Sequence, residues 1–354
     1  MGKNNNKLSL VQISRAIAIF FVLIGHANGL FYNMFDYDWF NISQWNRTGG
    51  VDFFFVVSGF MIYYLYFKNR GNQLKAKDFL IKRLIRIFPL YWLMLFATIA
   101  LLYLFPGAHS ENTLTLAVFL QNLLLFTTNP LLDVTWSLSY ILFFYLVFTS
   151  YLLRPKIMKY VIIIWLSSIL LTQLISDSNS FLLSVNHIEI YLGCLAAYLV
   201  TNIKVRFERT LLLVGLNGFL FLWLNNIYFF LEFNLLFLYS VFSMMIILGI
   251  TAMDLQKKRK IPKHLSLLGD ASYSVYICHG PIIQFFLLLL SKFRFYEKTG
   301  HFIYMSIIIC LTTLTCIGIY LLVERPMTKF LRKYIVKRSA SLHLGQSPEV
   351  EKIS

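Results

Sequence analysis

The sequence predicts an all-α, polytopic membrane protein with about ten transmembrane helices in one bundle. Three observations lead there. Of 354 residues, 58% are hydrophobic and only 14% are charged, whereas a soluble domain carries about a quarter charged residues. Apolar stretches of about eighteen residues or more recur along the chain, each long enough to cross ~30 Å of hydrocarbon as a helix. The mean hydropathy is +0.66 beside a net charge of +16, because the basic residues are concentrated between the apolar stretches. Soluble enzymes, secreted disulfide scaffolds and nucleic-acid binders are excluded, and a lipid bilayer is the first partner expected.

In chain order, the basic start MGKNNNK precedes an apolar run from Leu8 to Leu30. That run is too long for a signal peptide and contains Arg15 and His26, which favours an uncleaved first span, Leu8–Tyr32. Gly50–Phe67 and Leu84–Phe105 follow as the second and third spans. Leu114–Phe126 is too short to cross and is expected as a buried or interfacial half-helix. Further spans are Thr135–Leu153, Tyr160–Ser176, Phe181–Val200, Thr210–Leu224, Phe229–Met253, Ala271–Ser291 and His301–Val323. A membrane domain is thus expected over 1–333. After Phe330 the chain turns polar, so 334–354 is expected as a loosely ordered cytoplasmic tail without a lipidation motif. Cys194, Cys278, Cys310 and Cys316 lie inside apolar stretches without metal-ligand spacing; they read as core residues, and no metal site is expected.

The charge distribution orients this arrangement. With the first residues inside, the inner connections hold 27 of the 32 Lys and Arg, and the outer loops hold only Arg47, Lys292, Arg294 and Lys298. Basic residues accumulate on cytoplasmic loops, so both termini are expected in the cytoplasm. Topology alone accounts for most of the positive charge.

Ionisable side chains inside spans are costly and are therefore candidate functional groups. Arg15 and His26 are eleven residues apart, three turns plus about 20°, so they share one helix face ~16 Å apart along the axis. An inner cation below an imidazole suits a reaction joining a cytoplasmic anionic donor to an acceptor across the membrane. The plainer alternative is an arginine snorkelling inward and a histidine bonded within the bundle. Arg83 and Arg86, at i and i+3 at the third span's entrance, suit bidentate grip on phosphates, or simply anchor a helix whose aromatic belt is Tyr91 and Trp92. Asp52 and Glu189 are acids in the outer half. Ser58-Gly59 suits close helix approach better than nucleophilic chemistry, since no nucleophile-elbow pattern surrounds the serine. Between Leu268 and Pro281, a Gly269-Asp270 turn offers Asp270 as a helix cap, followed by Tyr273, Ser274 and His279. Pro281 is expected to kink that helix and free backbone carbonyls, one of which His279 satisfies unless it meets a ligand.

Together these segments resemble acyltransferase family 3, integral membrane enzymes that O-acylate bacterial glycans and related molecules. The resemblance runs from Leu10 to about Pro326. Arg15 and His26 fit the family's Arg–ten-residues–His motif. Asp52-Phe53-Phe54 through Ser58-Gly59-Phe60 fits its second-span signature, and Arg83-Leu84-Ile85-Arg86 its Arg-x-x-Arg motif. Gly269-Asp270-Ala271-Ser272-Tyr273-Ser274 with His279, then Glu324-Arg325-Pro326, fit the late signatures. One position departs. Where the family commonly carries a Glu after Trp-Ser/Thr-Leu, this chain has Ile141 in the run Trp136-Ser137-Leu138-Ser139-Tyr140-Ile141, which touches the positioning of the acceptor.

The resemblance implies transfer of an acyl group, most often acetyl, from acyl-CoA to a hydroxyl of a cell-surface polysaccharide or glycolipid precursor at the inner (cytoplasmic) membrane. No permanently bound cofactor is implied; acyl-CoA is a co-substrate. A neutral imidazole can take the proton of a sugar hydroxyl as it attacks, so His26 is the expected general base, or else the site of a transient acyl-imidazole. Arg83 and Arg86 would hold the CoA phosphates and Arg15 the donor deeper in. Asp52, Ser58, Glu189, Tyr273, Ser274 and His279 are candidates to contact the acceptor or the oxyanion. Two other classes fit the composition: a glycan transporter, whose intramembrane polar groups would mark a path, and a catalytically silent scaffold. Transporters favour paired broken helices, and only Pro281 lies well inside an expected span.

Overall fold

The computed structural model describes residues 8–45, 47–104, 115–126, 130–175, 180–231, 236–257 and 261–344. Among them there is no strand, and ten helical stretches are long and apolar enough to cross a membrane. The helices are α1 (Ser9–Phe35), α2 (Gly50–Tyr66), α3 (Gln73–Leu104), α4 (Leu116–Leu123), α5 (Thr135–Leu153), α6 (Pro155–Ile175), α7 (Asn186–Asn202), α8 (Glu208–Tyr228), α9 (Leu236–Gln256), α10 (Lys263–Ser291), α11 (Phe295–Thr299), α12 (His301–Ile319) and α13 (Arg325–Leu344). A π turn, Tyr320–Glu324, joins α12 to α13.

Most departures from the expected boundaries lie at the basic ends of helices. The third span begins at Gln73 rather than Leu84, because its basic approach is itself helical. Asn72 caps it, its Oδ1 accepting the Lys75 N–H at 3.0 Å, and Lys82 pairs with Asp78 one turn earlier at 2.6 Å. α10 likewise starts at Lys263, behind Pro262, so Asp270 lies inside the helix and is not its cap. Its Oδ1 instead accepts from Gln12 Nε2 of α1. The expected boundary at 333/334 falls inside α13, which stays helical to Leu344 where a loosely ordered tail was expected. Residues 345–354 of that tail lie outside the described residues. So do 232–235 of the eighth expected span and three expected helix ends, Phe105, Leu114 and Ser176.

The expected half-helix is α4. Thr115 Oγ1 caps it by accepting the Val118 N–H at 3.2 Å, and Trp92 Nε1 of α3 donates to the Leu123 carbonyl at 3.0 Å. Eight residues rise only about 12 Å, so α4 cannot cross. Proline occurs inside two membrane helices rather than one, Pro89 in α3 and Pro281 in α10, and both helices run on without a break.

In lipid, helices associate through close backbone approach. A Cβ on Gly59 of α2 would sit 1.8 Å from the Ile190 carbonyl oxygen of α7, and one on Gly193 of α7 would sit 1.9 Å from that of Val56. Gly269 does the same for α10 against α1, where a Cβ would meet the Gln12 carbonyl at 2.3 Å. The principal core joins α1 (Val22, Leu23, Phe31), α3 (Leu90, Tyr91), α10 (Ile277, Ile283) and α12 (Tyr304, Ile308). α6 is peripheral: of its residues only Ile169 is buried, and Leu174 is 83% exposed on a surface meant for lipid. Helices α1, α3 and α10 begin at the end of the bundle that carries Lys82, Arg83 and Arg86, hereafter the basic end; Asp52, Glu189 and Arg47 lie at the opposite end.

Candidate active site

A cavity of about 430 Å³ opens among α1, α2, α3, α5, α10 and α13, and its wall includes Arg15, Ser58, Arg83, Arg86 and Tyr273. α2 lines it from Val51 to Tyr66, a rise of about 22 Å, so it is a long slot that runs most of the way across the bundle. Gly59 packs on α7 while its neighbour Ser58 faces the slot: adjacent helix positions serve packing and cavity separately.

Cations crowd the basic end. Lys82, Arg83, Arg86 and Arg332 of α13 all line it, with Arg15 deeper in. Aromatic rings rather than acids hold Arg83: its guanidinium carbon lies 5.3, 5.6 and 5.9 Å from the ring centres of Tyr66, Phe79 and Tyr145. Its Nε is buried without a hydrogen-bond partner. Arg15 Nη2 donates to Ser272 Oγ at 2.7 Å. Glu324, whose charge reaches Arg15 and Arg86, accepts a hydrogen bond from Ser274 Oγ. Ser274 is therefore engaged behind the wall rather than in it. Tyr273 lines the slot, but its hydroxyl donates to the Ile87 carbonyl of α3 at 2.7 Å.

At the other end of the slot the hydroxyls of Ser137 and Tyr276 are hydrogen-bonded to each other, and Tyr276 also donates to the Val134 carbonyl at 3.0 Å. Beyond this pair stand two histidines. The Tyr276 and His279 rings are 6.3 Å apart, and those of His279 and His26 are 5.0 Å apart, edge to face. His26 itself is not part of the slot's wall. His279 Nδ1 lies 2.9 Å from the Val275 carbonyl, so that nitrogen carries the proton, and buried Nε2 is left as an acceptor without a partner. The carbonyl that Pro281 frees belongs to Ile277, one turn before it; His279 bonds a different one.

Asp52 and Glu189 belong to a separate assembly, outside the slot. Arg47 reaches in from the loop before α2 to contact Asp52 Oδ1 at 2.9 Å, Glu189 Oε1 at 3.2 Å and Asn186 Oδ1 at 2.8 Å. Asp52 is 0% and Glu189 1% exposed. Burial works against the charge of Arg47, but the two carboxylates win and hold its guanidinium above the usual arginine range.

Four of these residues carried no weight in the sequence. Ser137 and Tyr276 lie within motif runs without a role assigned to them, and Tyr276 shares the His279 helix face at i, i+3. Arg47 and Arg332 read as ordinary basic residues. Asp52 follows Arg47 by five residues, but Glu189 and Asn186 are 142 and 139 residues away, and Arg332 joins a slot built by distant helices, so local spacing did not mark either arginine. Ile141 lines the slot one turn from Ser137 and one from Tyr145, whereas Asp52 and Glu189 are not among its lining residues.

The family model for an acyltransferase domain, that of acyltransferase family 3, matches residues 11–324. Exopolysaccharide production protein ExoZ of Rhizobium meliloti (strain 1021) is 24% identical over 321 residues, covering 85% of this chain and 95% of that protein. No solved structure matches. The family match takes in the slot's helices α1, α2, α3, α5 and α10, both histidines and the Arg-x-x-Arg pair; this chain belongs to acyltransferase family 3 and is a membrane-embedded acyltransferase.

Proposed function

We propose that the chain transfers an acyl group, acetyl in the simplest case, from cytoplasmic acyl-CoA to a hydroxyl of a cell-surface polysaccharide or its glycolipid precursor. The observation that carries this reading is the slot, with Arg83, Arg86 and Arg332 in no ion pair among the described residues at one end and a hydroxyl pair next to two histidines at the other. The Lys and Arg distribution supports a cytoplasmic basic end and cytoplasmic termini, as fits a protein of the cytoplasmic membrane. The relative named for exopolysaccharide production supports a glycan acceptor.

On this reading the phosphates rest on Arg83 and Arg86, and the pantetheine arm lies along α2 past Arg15. The thioester carbonyl arrives at Tyr276 and Ser137, whose hydroxyls, turned away from the Val134 carbonyl, can donate to the developing oxyanion. For the thioester to meet His26, the Ser137–Tyr276 contact parts. His26, as neutral imidazole, takes the acceptor hydroxyl's proton while its oxygen attacks the carbonyl carbon; collapse breaks the C–S bond, and the proton passes to the departing sulfur. His279, its tautomer held by Val275, leaves Nε2 free to accept a hydrogen bond from His26, whose ring is 5.0 Å away, once the two rings draw together. A transient acyl-imidazole on His26 needs the same residue and the same slot.

The test is mass spectrometry of the host's surface polysaccharide from a deletion strain complemented with wild type or with His26→Ala at equal membrane abundance. Deletion should remove one acyl mass, and wild type alone should restore it. With purified protein, His26→Ala should lower turnover by about 10²–10⁴-fold. Equal restoration by His26→Ala would sink the mechanism. Unchanged acylation with reduced glycan export would favour a transporter.

A further inference from the structure

Arg332 lies eight residues past 324, where the family match ends, yet it lines the same slot as Arg83 and Arg86. The fold brings it there in two steps. The π turn Tyr320–Glu324 inserts an extra residue between α12 and α13 and so turns α13 relative to the helix before it. Buried Glu324 then fastens that turn to α10 through Ser274 Oγ, and α13 runs along the basic end of α3. Among the described residues no ion pair or side-chain hydrogen bond is formed by Arg83, Arg86 or Arg332. The charges of Arg83 and Arg86 act on Arg332, and Glu324 acts against them. Like charges held together in a partly closed space favour a ligand that carries several negative charges of its own.

We propose that Arg332 is a donor-specificity residue: it contacts a phosphate at the nucleotide end of the donor and selects a thioester carried on a phosphorylated nucleotide over the same thioester on phosphopantetheine alone. This rests on the acyl-CoA reading above and goes beyond it by assigning α13 to the mouth of the site. Arg83 and Arg86, deeper on α3, can grip the pyrophosphate that remains close to the arm. Arg332, more exposed on α13, is left for the phosphate furthest from the thioester, the ribose 3′-phosphate of CoA.

The experiment is titration of the full chain in nanodiscs with CoA, dephospho-CoA and 4′-phosphopantetheine, which needs no knowledge of the acceptor. Wild type should bind CoA about tenfold more tightly than dephospho-CoA, the ratio expected for one charge-assisted contact. Arg332→Gln should weaken CoA to the level of dephospho-CoA and leave dephospho-CoA unchanged, while Arg332→Lys keeps most of the preference. Equal weakening of all three ligands by Arg332→Gln would overturn the proposal, because it would mean general field or folding damage. No change for any ligand would overturn it too. If wild type binds none of the three, the acyl-CoA reading itself falls; if it binds CoA and 4′-phosphopantetheine alike, that reading stands and the role of Arg332 fails.

Discussion

The two charged assemblies in this bundle are built in opposite ways. At one end Arg47 closes on Asp52, Glu189 and Asn186, so a single cation serves two carboxylates buried beyond water. At the other, Arg83, Arg86 and Arg332 share a cavity wall with no acid among the described residues in ion-pair contact, and Arg83 is held by three aromatic rings. Aromatic faces attract a guanidinium without neutralising it. The first assembly has an internal counter-charge, although Asp52 Oδ2 and Glu189 Oε2 are buried without hydrogen-bond partners; the second has none in contact among the described residues. An intramembrane or interfacial charge is a candidate functional group by default. Here the presence or absence of an internal counter-charge separates the two cases.

The largest effect is expected from breaking the ion-paired assembly. Arg47→Ala leaves two buried carboxylates without their cation, which should destabilise the fold by about 3–5 kcal/mol. Thermal unfolding in detergent checks this, and Asp52→Asn with Glu189→Gln should recover much of the loss in the Arg47→Ala background. An unchanged Tm would mean that the assembly is not closed as described. Arg83→Gln should behave in reverse. CoA binding should weaken by about ten- to a hundredfold, as loss of a charge-assisted contact predicts, while Tm holds or rises because repulsion from Arg86 is relieved. A large fall in Tm would place Arg83 among the structural charges. The smallest change sharpens the contrast most. Ile141→Glu puts into the slot the carboxylate that the family commonly has there, and partial pairing with the nearby cations should weaken CoA binding by about two- to fivefold without loss of fold. Tighter binding would show that the family's acid serves the donor rather than competing with it.

The same comparison marks how far sequence could be read. Arg15, Arg83 and Arg86 were legible because a charged residue inside an apolar run is costly wherever it occurs, and the structure gathers all three in one slot. Asp52 and Glu189 were legible by the same rule, but their role was not, because Arg47 lies in a loop and 142 residues separate it from Glu189. Asp270 looked like a cap because Gly-Asp usually marks a turn; the short approach of Gly269 to the Gln12 carbonyl explains that glycine instead. The tail looked loosely ordered because it is polar, yet its Lys, Arg and Leu residues through Leu344 are good helix formers, and α13 continues from the π turn.

By itself the sequence determined the class of the molecule, the number of spans, the approximate helix bounds and which charges needed explaining. Those follow from hydrocarbon thickness, helical rise and the cost of burying charge, all of which act along a single helix. Only the tertiary structure decided which charges meet a partner, that Tyr276 and Ser137 stand between the slot and the two histidines, and that Arg332 reaches the slot. These depend on a few close helix contacts and one π turn, where placements of about an ångström bring together residues far apart in the chain.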